Sequence, residues 1–211
     1  MALRAIIYDT ETTGTNPYGD RIIELAAYDV ERKTSFETLI NPKMPIPPES
    51  TQISKITDAM VKDARCFDEV IDEFCSFCDG DVMLVAHNND AFDLLFLQQE
   101  FGRNKRTLPD HWVFFDTLKW ARRYRNDLPR HSLQFLRQSY NIPPNQAHRA
   151  LNDVMVLYEV YKHLVDDLTC EQMLDLLSKR TQKKETNKAA SFAAMPSESK
   201  PQTSLFDFAK A

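Results

Sequence analysis

The chain is predicted to fold as an α/β domain around a central mixed sheet of five strands flanked by helices. Three observations predict it. Strand-like runs crowd the first forty residues. Helical periodicity dominates after about residue 50, and two short β-branched or aromatic runs interrupt it. Strands first, then helix alternating with strand, is the order of a mixed sheet covered by helices. The length of 211 residues suits one such domain plus a modest tail.

Leu3 to Thr10 reads as a buried strand, followed by the turn-rich loop TTGTNPYGD. Arg21 to Glu31 and Thr34 to Ile40 are further strands joined by the short polar link ERKT, so the first three strands should form an antiparallel meander. The prolines of NPKMPIPPES exclude regular helix or central strand. Helices are expected around 50–62 and 67–78, with a fourth strand at Asp81 to Ala86. An amphipathic helix follows at Ala91 to Phe101, with Asn89 or Asp90 available to cap it. Val113 to Phe115 is the fifth strand, and helices follow near 116–124, 131–140, 149–166 and 170–179. From about Thr181 the chain becomes rich in Lys, Ser, Thr, Gln and Pro without a sustained period. The folded domain is therefore expected over 1–180 and a disordered tail over 181–211.

No apolar run approaches the ~18–20 residues a membrane helix needs. The N-terminus lacks a signal-peptide layout, so an intracellular, non-membrane location is expected. Of the four cysteines, Cys75 and Cys78 share a helical face within FDEVIDEFCSFC. No second pair or histidine stands near in sequence, which favours buried thiols over a zinc site. The net charge of −5 hides a basic stretch. Arg103 to Arg130 holds eight Lys/Arg against three Asp, interleaved with Trp112, Phe114, Trp120 and Tyr124. That composition fits a phosphate-binding groove or a solvated helix face over core aromatics.

Three short motifs carry the chemistry. Asp9 and Glu11 stand two apart at a strand end and project from one face of the sheet, continuing the side of Leu3, Ala5 and Ile7. Paired carboxylates repel unless cations neutralise them, and hard oxygen ligands suit Mg²⁺ or Mn²⁺; alone, the pair would also fit an acidic, solvent-facing strand end. Asp93 lies early in its helix, where an acid suits the helix dipole. The polar loop HNND before it puts it at the sheet edge, within reach of the Asp9 pair. His148 and Asp153 are five apart, about 140° around one continuous helix. For both to reach one site, His148 must stand at or before the helix start and Asp153 inside it. Together, four acids and a histidine suit an in-line displacement at phosphorus, with two divalent ions ~4 Å apart and an imidazole taking the proton of the attacking water.

IIYDTETTG, LVAHNNDAFD, HSLQFLRQSYNI and AHRALNDVMVLYEVY occur in the order found in the DEDDh (DnaQ-like) 3′→5′ exonucleases. The chain resembles that superfamily from about residue 3 to 165. The superfamily includes the epsilon subunits of bacterial DNA polymerase III. The resemblance implies a ribonuclease-H-like fold and a metal-dependent 3′→5′ exodeoxyribonuclease acting in proofreading or repair. It implies two Mg²⁺ or Mn²⁺ ions, with Asp9 bridging both, Glu11 and Asp153 on the water-activating ion, Asp93 on the second, and His148 as general base. Thr10, Thr12, Thr13, Gly14 and Thr15 would contact the 3′-terminal nucleotide, and His87, Asn88 and Phe92 would shape the pocket. The same site would serve an exoribonuclease, and a non-catalytic adaptor would keep the fold with degraded ligands.

Two positions depart from the family pattern. HNNDAFD has three residues between Asn88 and Phe92 where many proofreading domains have two, and Lys55 stands where members often place Gly. In the tail, Gln202, Leu205 and Phe206 resemble the peptide that bacterial proteins insert into the sliding clamp. The expected partners are DNA 3′ ends, single-stranded or mispaired, the clamp and a DNA polymerase, with a cytoplasmic, nucleoid-associated location.

Overall fold

A computed structural model of the chain describes residues 3–144 and 149–167. Strand β1 (Arg4–Thr12) lies at the centre of a five-stranded sheet. Its other strands are β2 (Ile22–Asp29), β3 (Thr34–Leu39), β4 (Val82–Ala86) and β5 (Val113–Asp116), in the order β3-β2-β1-β4-β5. The first three strands are an antiparallel meander. β4 and β5 run parallel to β1. Short links permit the antiparallel half, whereas parallel strands need helical crossovers.

Helices α1 (Pro48–Ser54), α2 (Asp58–Val61) and α3 (Phe67–Phe77) precede β4; α4 (Asp93–Arg103) joins β4 to β5. After β5 come α5 (Thr117–Tyr124), α6 (Leu133–Ser139) and α7 (Ala150–Asp166). The pleat of β1 divides the fold. Ile6 and Tyr8 enter a core with Phe67, Phe74, Phe96 and Phe101 from α3 and α4. Ile7, Asp9 and Glu11 lie opposite Tyr28, Ala26 and Glu24 of β2. α7 packs on those two strands, with the Tyr158 ring 5.2 Å from Tyr28.

The helix expected around 50–62 is two helices. Lys55 breaks them apart in the left-handed conformation, φ 63°, and donates its backbone N–H to Thr51 O. Glycine adopts this conformation without the Cβ clash that a lysine suffers. The chain has only four glycines and places Lys33, Lys43, Lys55 and Lys105 at positive φ instead. Relief of the clash outweighs glycine's larger unfolded-state entropy, so Lys55→Gly should stabilise the fold by about 0.5–1 kcal/mol. The check is a urea titration, where the midpoint should rise at unchanged slope. An unchanged or lower midpoint would show that the left-handed lysine is unstrained.

The start of α4 also differs from expectation. Asn89 to Ala91 form a 3-10 turn, Phe92 takes the N-cap position, and neither Asn89 nor Asp90 caps the helix. Asn89 is fully buried and accepts a hydrogen bond from the Tyr8 hydroxyl, while Asp90 pairs with Lys119 at 2.6 Å. Each side chain has a tertiary partner in place of the cap. In the basic stretch, Trp112 and Trp120 are core residues and Phe114 packs against the core, whereas Tyr124 is half-buried beneath the Arg123 guanidinium. Cys75 and Cys78 are free thiols, and burial pushes both up. The helix expected at 170–179, Cys170, the domain end near 180 and the tail with Gln202, Leu205 and Phe206 lie outside the described residues.

Candidate active site

Strand β1 delivers Asp9 and Glu11 to the sheet face that α7 covers. Asp153 stands in the first turn of α7. Ligand oxygens of Asp9, Glu11 and Asp153 all lie within 4.8 Å of one another. The α7 start at Ala150 fits the geometric requirement for Asp153, which sits inside the helix; His148 itself is outside the described residues.

Asp93 reaches the same strand from the other side. Its Oδ1 accepts from the Thr10 backbone N–H at 3.1 Å and from the Thr10 hydroxyl at 2.7 Å. It is 2% exposed and lies at the first position of α4. Four carboxylates from β1, α4 and α7 thus converge at the end of the central strand.

Their electrostatics follow from crowding and burial. Burial pushes the Asp9 carboxyl well above the ordinary carboxylate range, and the charges of Asp93, Glu11, Asp153 and Glu24 push it further. Glu11 is raised to about 8, by burial first and then by Asp153 and Glu24, with Arg149 opposing. Burial also raises Asp93, against the two hydrogen bonds from Thr10. Buried acids in mutual repulsion favour any cation that lets them ionise. This all-oxygen donor set fits a hard divalent ion such as Mg²⁺ or Mn²⁺.

Sequence reasoning missed Glu24. It is fully buried and directly opposite Glu11 in the β1–β2 register. It accepts from the Arg149 Nη2 group and the Ala150 backbone N–H, both at 2.9 Å. A glutamate inside the otherwise apolar run IIELAA was the available signal.

The loop after β1 is internally bonded. The Thr12 hydroxyl donates to Gly14 O at 2.6 Å, and the Thr13 hydroxyl to Asp20 at 3.3 Å. A Cβ on Gly14 would stand 2.4 Å from the Asp20 carboxylate, so a larger residue there would displace the Asp20 side chain. Thr15 is exposed. Beyond β4, the His87 Nδ1 lies 3.0 Å from the Thr117 hydroxyl, and burial lowers the imidazole to about 4. The ring is therefore neutral at physiological pH. Asn88 adopts φ 68° and donates its backbone N–H to Asp116, which also caps α5. The Phe92 ring packs 4.9 Å from Phe96.

The RNase T model, described as exonuclease, matches residues 6–161. The chain is 38% identical over 163 residues to the DNA polymerase III subunit epsilon of Treponema pallidum, covering 75% of this chain and 74% of that one. It is 35% identical to the chloroplastic and mitochondrial exonuclease DPD1 of Arabidopsis thaliana, over 79% of this chain and 57% of that protein. It is 32% identical to the PolC-type DNA polymerase III of Caldanaerobacter subterraneus, over 77% of this chain but 12% of the polymerase. Among solved structures, exonuclease X in complex with 5′-overhanging duplex DNA is 29% identical, with a TM-score of 0.59 over 81% of this chain and 98% of that one. Apo exonuclease I, at 20% identity and TM-score 0.73, covering 89% of this chain and 47% of that one, shares the fold.

Proposed function

The chain belongs to the RNase T exonuclease family, and on that premise we propose that it is a metal-dependent 3′→5′ exodeoxyribonuclease acting in proofreading or repair. The observation that carries this reading is the meeting of Asp9, Glu11 and Asp153 within 4.8 Å, with Asp93 held against the same strand by Thr10. Two divalent ions bound there would supply charge stabilisation to the attacking and leaving oxygens of the phosphodiester. Asp9, Glu11, Asp153 and Asp93 would hold them. The packing of β1, α4 and α7 keeps these side chains in place before substrate arrives, so little reorganisation accompanies the reaction. His148 is the residue assigned to take the proton of the attacking water.

Support for DNA comes from the relatives, two of which are DNA polymerase III proteins, and from the duplex DNA bound by exonuclease X. The backbone would run along α5. Its buried face holds Thr117, Trp120 and Ala121, while Lys119, Arg122 and Arg123 are exposed on the other. In this reading Gln202, Leu205 and Phe206 tether the enzyme to the sliding clamp as an extended peptide, and a DNA polymerase is reached through it. No helix among the described residues is long and apolar enough to cross a membrane.

The test is digestion of 5′-labelled single-stranded DNA, mispaired duplex DNA and RNA by the full chain with Mg²⁺ or Mn²⁺. Stepwise shortening of DNA is expected. An Arg122→Glu/Arg123→Glu variant should need several-fold more long substrate for half-maximal rate yet cleave a dinucleotide as the parent does. Preferential RNA trimming would move the protein to the exoribonucleases, and inertness on all three substrates would reject hydrolysis in favour of a clamp adaptor.

A further inference from the structure

Asp153 reaches Asp9 and Glu11 from a helix that has no capping side chain of its own. Arg149 occupies the N-cap position of α7 without a capping hydrogen bond. Glu24, from the neighbouring strand β2, takes the Ala150 N–H instead, at 2.9 Å. Its other oxygen receives the Arg149 Nη2 group, also at 2.9 Å. Glu24 therefore serves as a cap supplied by the sheet, fastened to the first turn of α7 by one backbone and two guanidinium contacts.

A carboxylate suits a helix N-terminus. Buried beside four other acids, however, it is repelled unless a cation accompanies it. An apolar residue would make a more stable strand interior at this position, so the need for Glu24 lies with α7. Arg149 cancels its charge.

We infer that Glu24 and Arg149 are positioning residues that clamp the first turn of α7, so that the Asp153 carboxylate stands at ligand distance from Asp9 and Glu11. The inference rests on the metal-dependent reading above. Neither residue is one of the four acids of the cluster; their hydrogen bonds hold the turn of α7 that carries Asp153.

Two charge-balanced double variants of the full chain test it. Glu24→Gln/Arg149→Gln and Glu24→Ala/Arg149→Ala remove the same two charges, but only the glutamine can still reach the Ala150 N–H. Mn²⁺ titration calorimetry should show the glutamine pair within about threefold of the parent. The alanine pair should be weaker by roughly 10–100-fold, the usual cost of losing a partner that orients a metal ligand. kcat on a DNA oligonucleotide should fall in parallel with KM held within twofold, a split that general destabilisation would not produce. Equal Mn²⁺ affinities in the two variants, whether high or low, would overturn the inference. If the alanine pair fails to fold, Glu24→Ala alone serves, because Arg149 lies 4.0 Å from Glu37 and keeps a counter-charge; parent-like Mn²⁺ affinity there would equally overturn it. A parent protein that neither binds Mn²⁺ nor degrades DNA would instead reject the proposed function, and this inference with it.

Discussion

Asp9→Asn is expected to lower the rate of DNA hydrolysis by a factor on the order of 10³ or more and, at the same time, to raise the melting temperature of the ion-free protein. Both effects have one cause. Asp9 faces every other acid of the cluster: Asp93, Glu11, Asp153 and Glu24 all act on its carboxyl. An amide in that place keeps the size and one oxygen but removes the negative charge that Asp9 would offer a divalent ion. In the absence of cations, the same change relieves repulsion among buried carboxylates. Active sites commonly sacrifice stability in this way. Thermal melts in EDTA at pH 8, beside a nuclease assay, check the pair of outcomes. A variant that retains activity, or that is inactive and melts below the parent, would show that Asp9 is not the centre of an electrostatically strained site.

The second large effect is a change in how pH acts on stability when divalent ions are added. Glu11 has an ordinary value of 4.5 and is raised to about 8 in the fold. The folded state then holds this proton more tightly than the unfolded state does, and stability must fall as pH rises through the interval between the two values. His87, lowered from 6.5 to about 4, contributes the opposite slope below 6.5, because its buried ring prefers to be neutral. Above 6.5 only the acids remain. Between pH 6.5 and 8 the melting temperature of the ion-free protein should therefore decline. With saturating Mn²⁺ it should stay level or rise, since the ion binds the ionised acids and stabilises the state that holds them. Calorimetry at pH 6.5, 7.2 and 8.0, with EDTA or Mn²⁺, gives both slopes. Parallel slopes would mean that the acids do not bind the ion.

The strands were readable because β1 and the meander are local. ERKT is too short for anything but an antiparallel return, and alternation assigned Asp9 and Glu11 to one face before any tertiary contact was known. β1 runs two residues further than its apolar pattern, through Glu11 and Thr12, because β2 pairs with it there despite a shift in register. The break at Lys55 was hidden because lysine propagates a helix well in isolation and only the backbone shows the left-handed turn. The misassigned cap at Asn89 arose because a buried tyrosine, Tyr8, is its partner from 81 residues away, a distance that local patterns do not span. Glu24 was overlooked for a related reason. In sequence it is one acid in a strand, and its meaning depends on Arg149 and Ala150 at the far end of the domain. Local physics singled out the acids of the cluster, whereas the groups that hold them in place are defined by tertiary structure.

The arrangement of the acids along the chain also sets a timetable. Asp9 and Glu11 are made well before Asp153, which stands near the end of the described residues on a helix that packs against β1 and β2. At ~5–20 residues per second, a nascent chain carries Asp9 and Glu11, and then Asp93, for roughly 7–28 seconds after Glu11 before Asp153 exists. Throughout that interval the sheet can form up to β5, but the acid cluster lacks the side chain that completes it. A ribosome working beside nucleic acid thus carries no finished nuclease until α7 has docked. A chain severed between β5 and α7 would keep most of its sheet and be permanently silent.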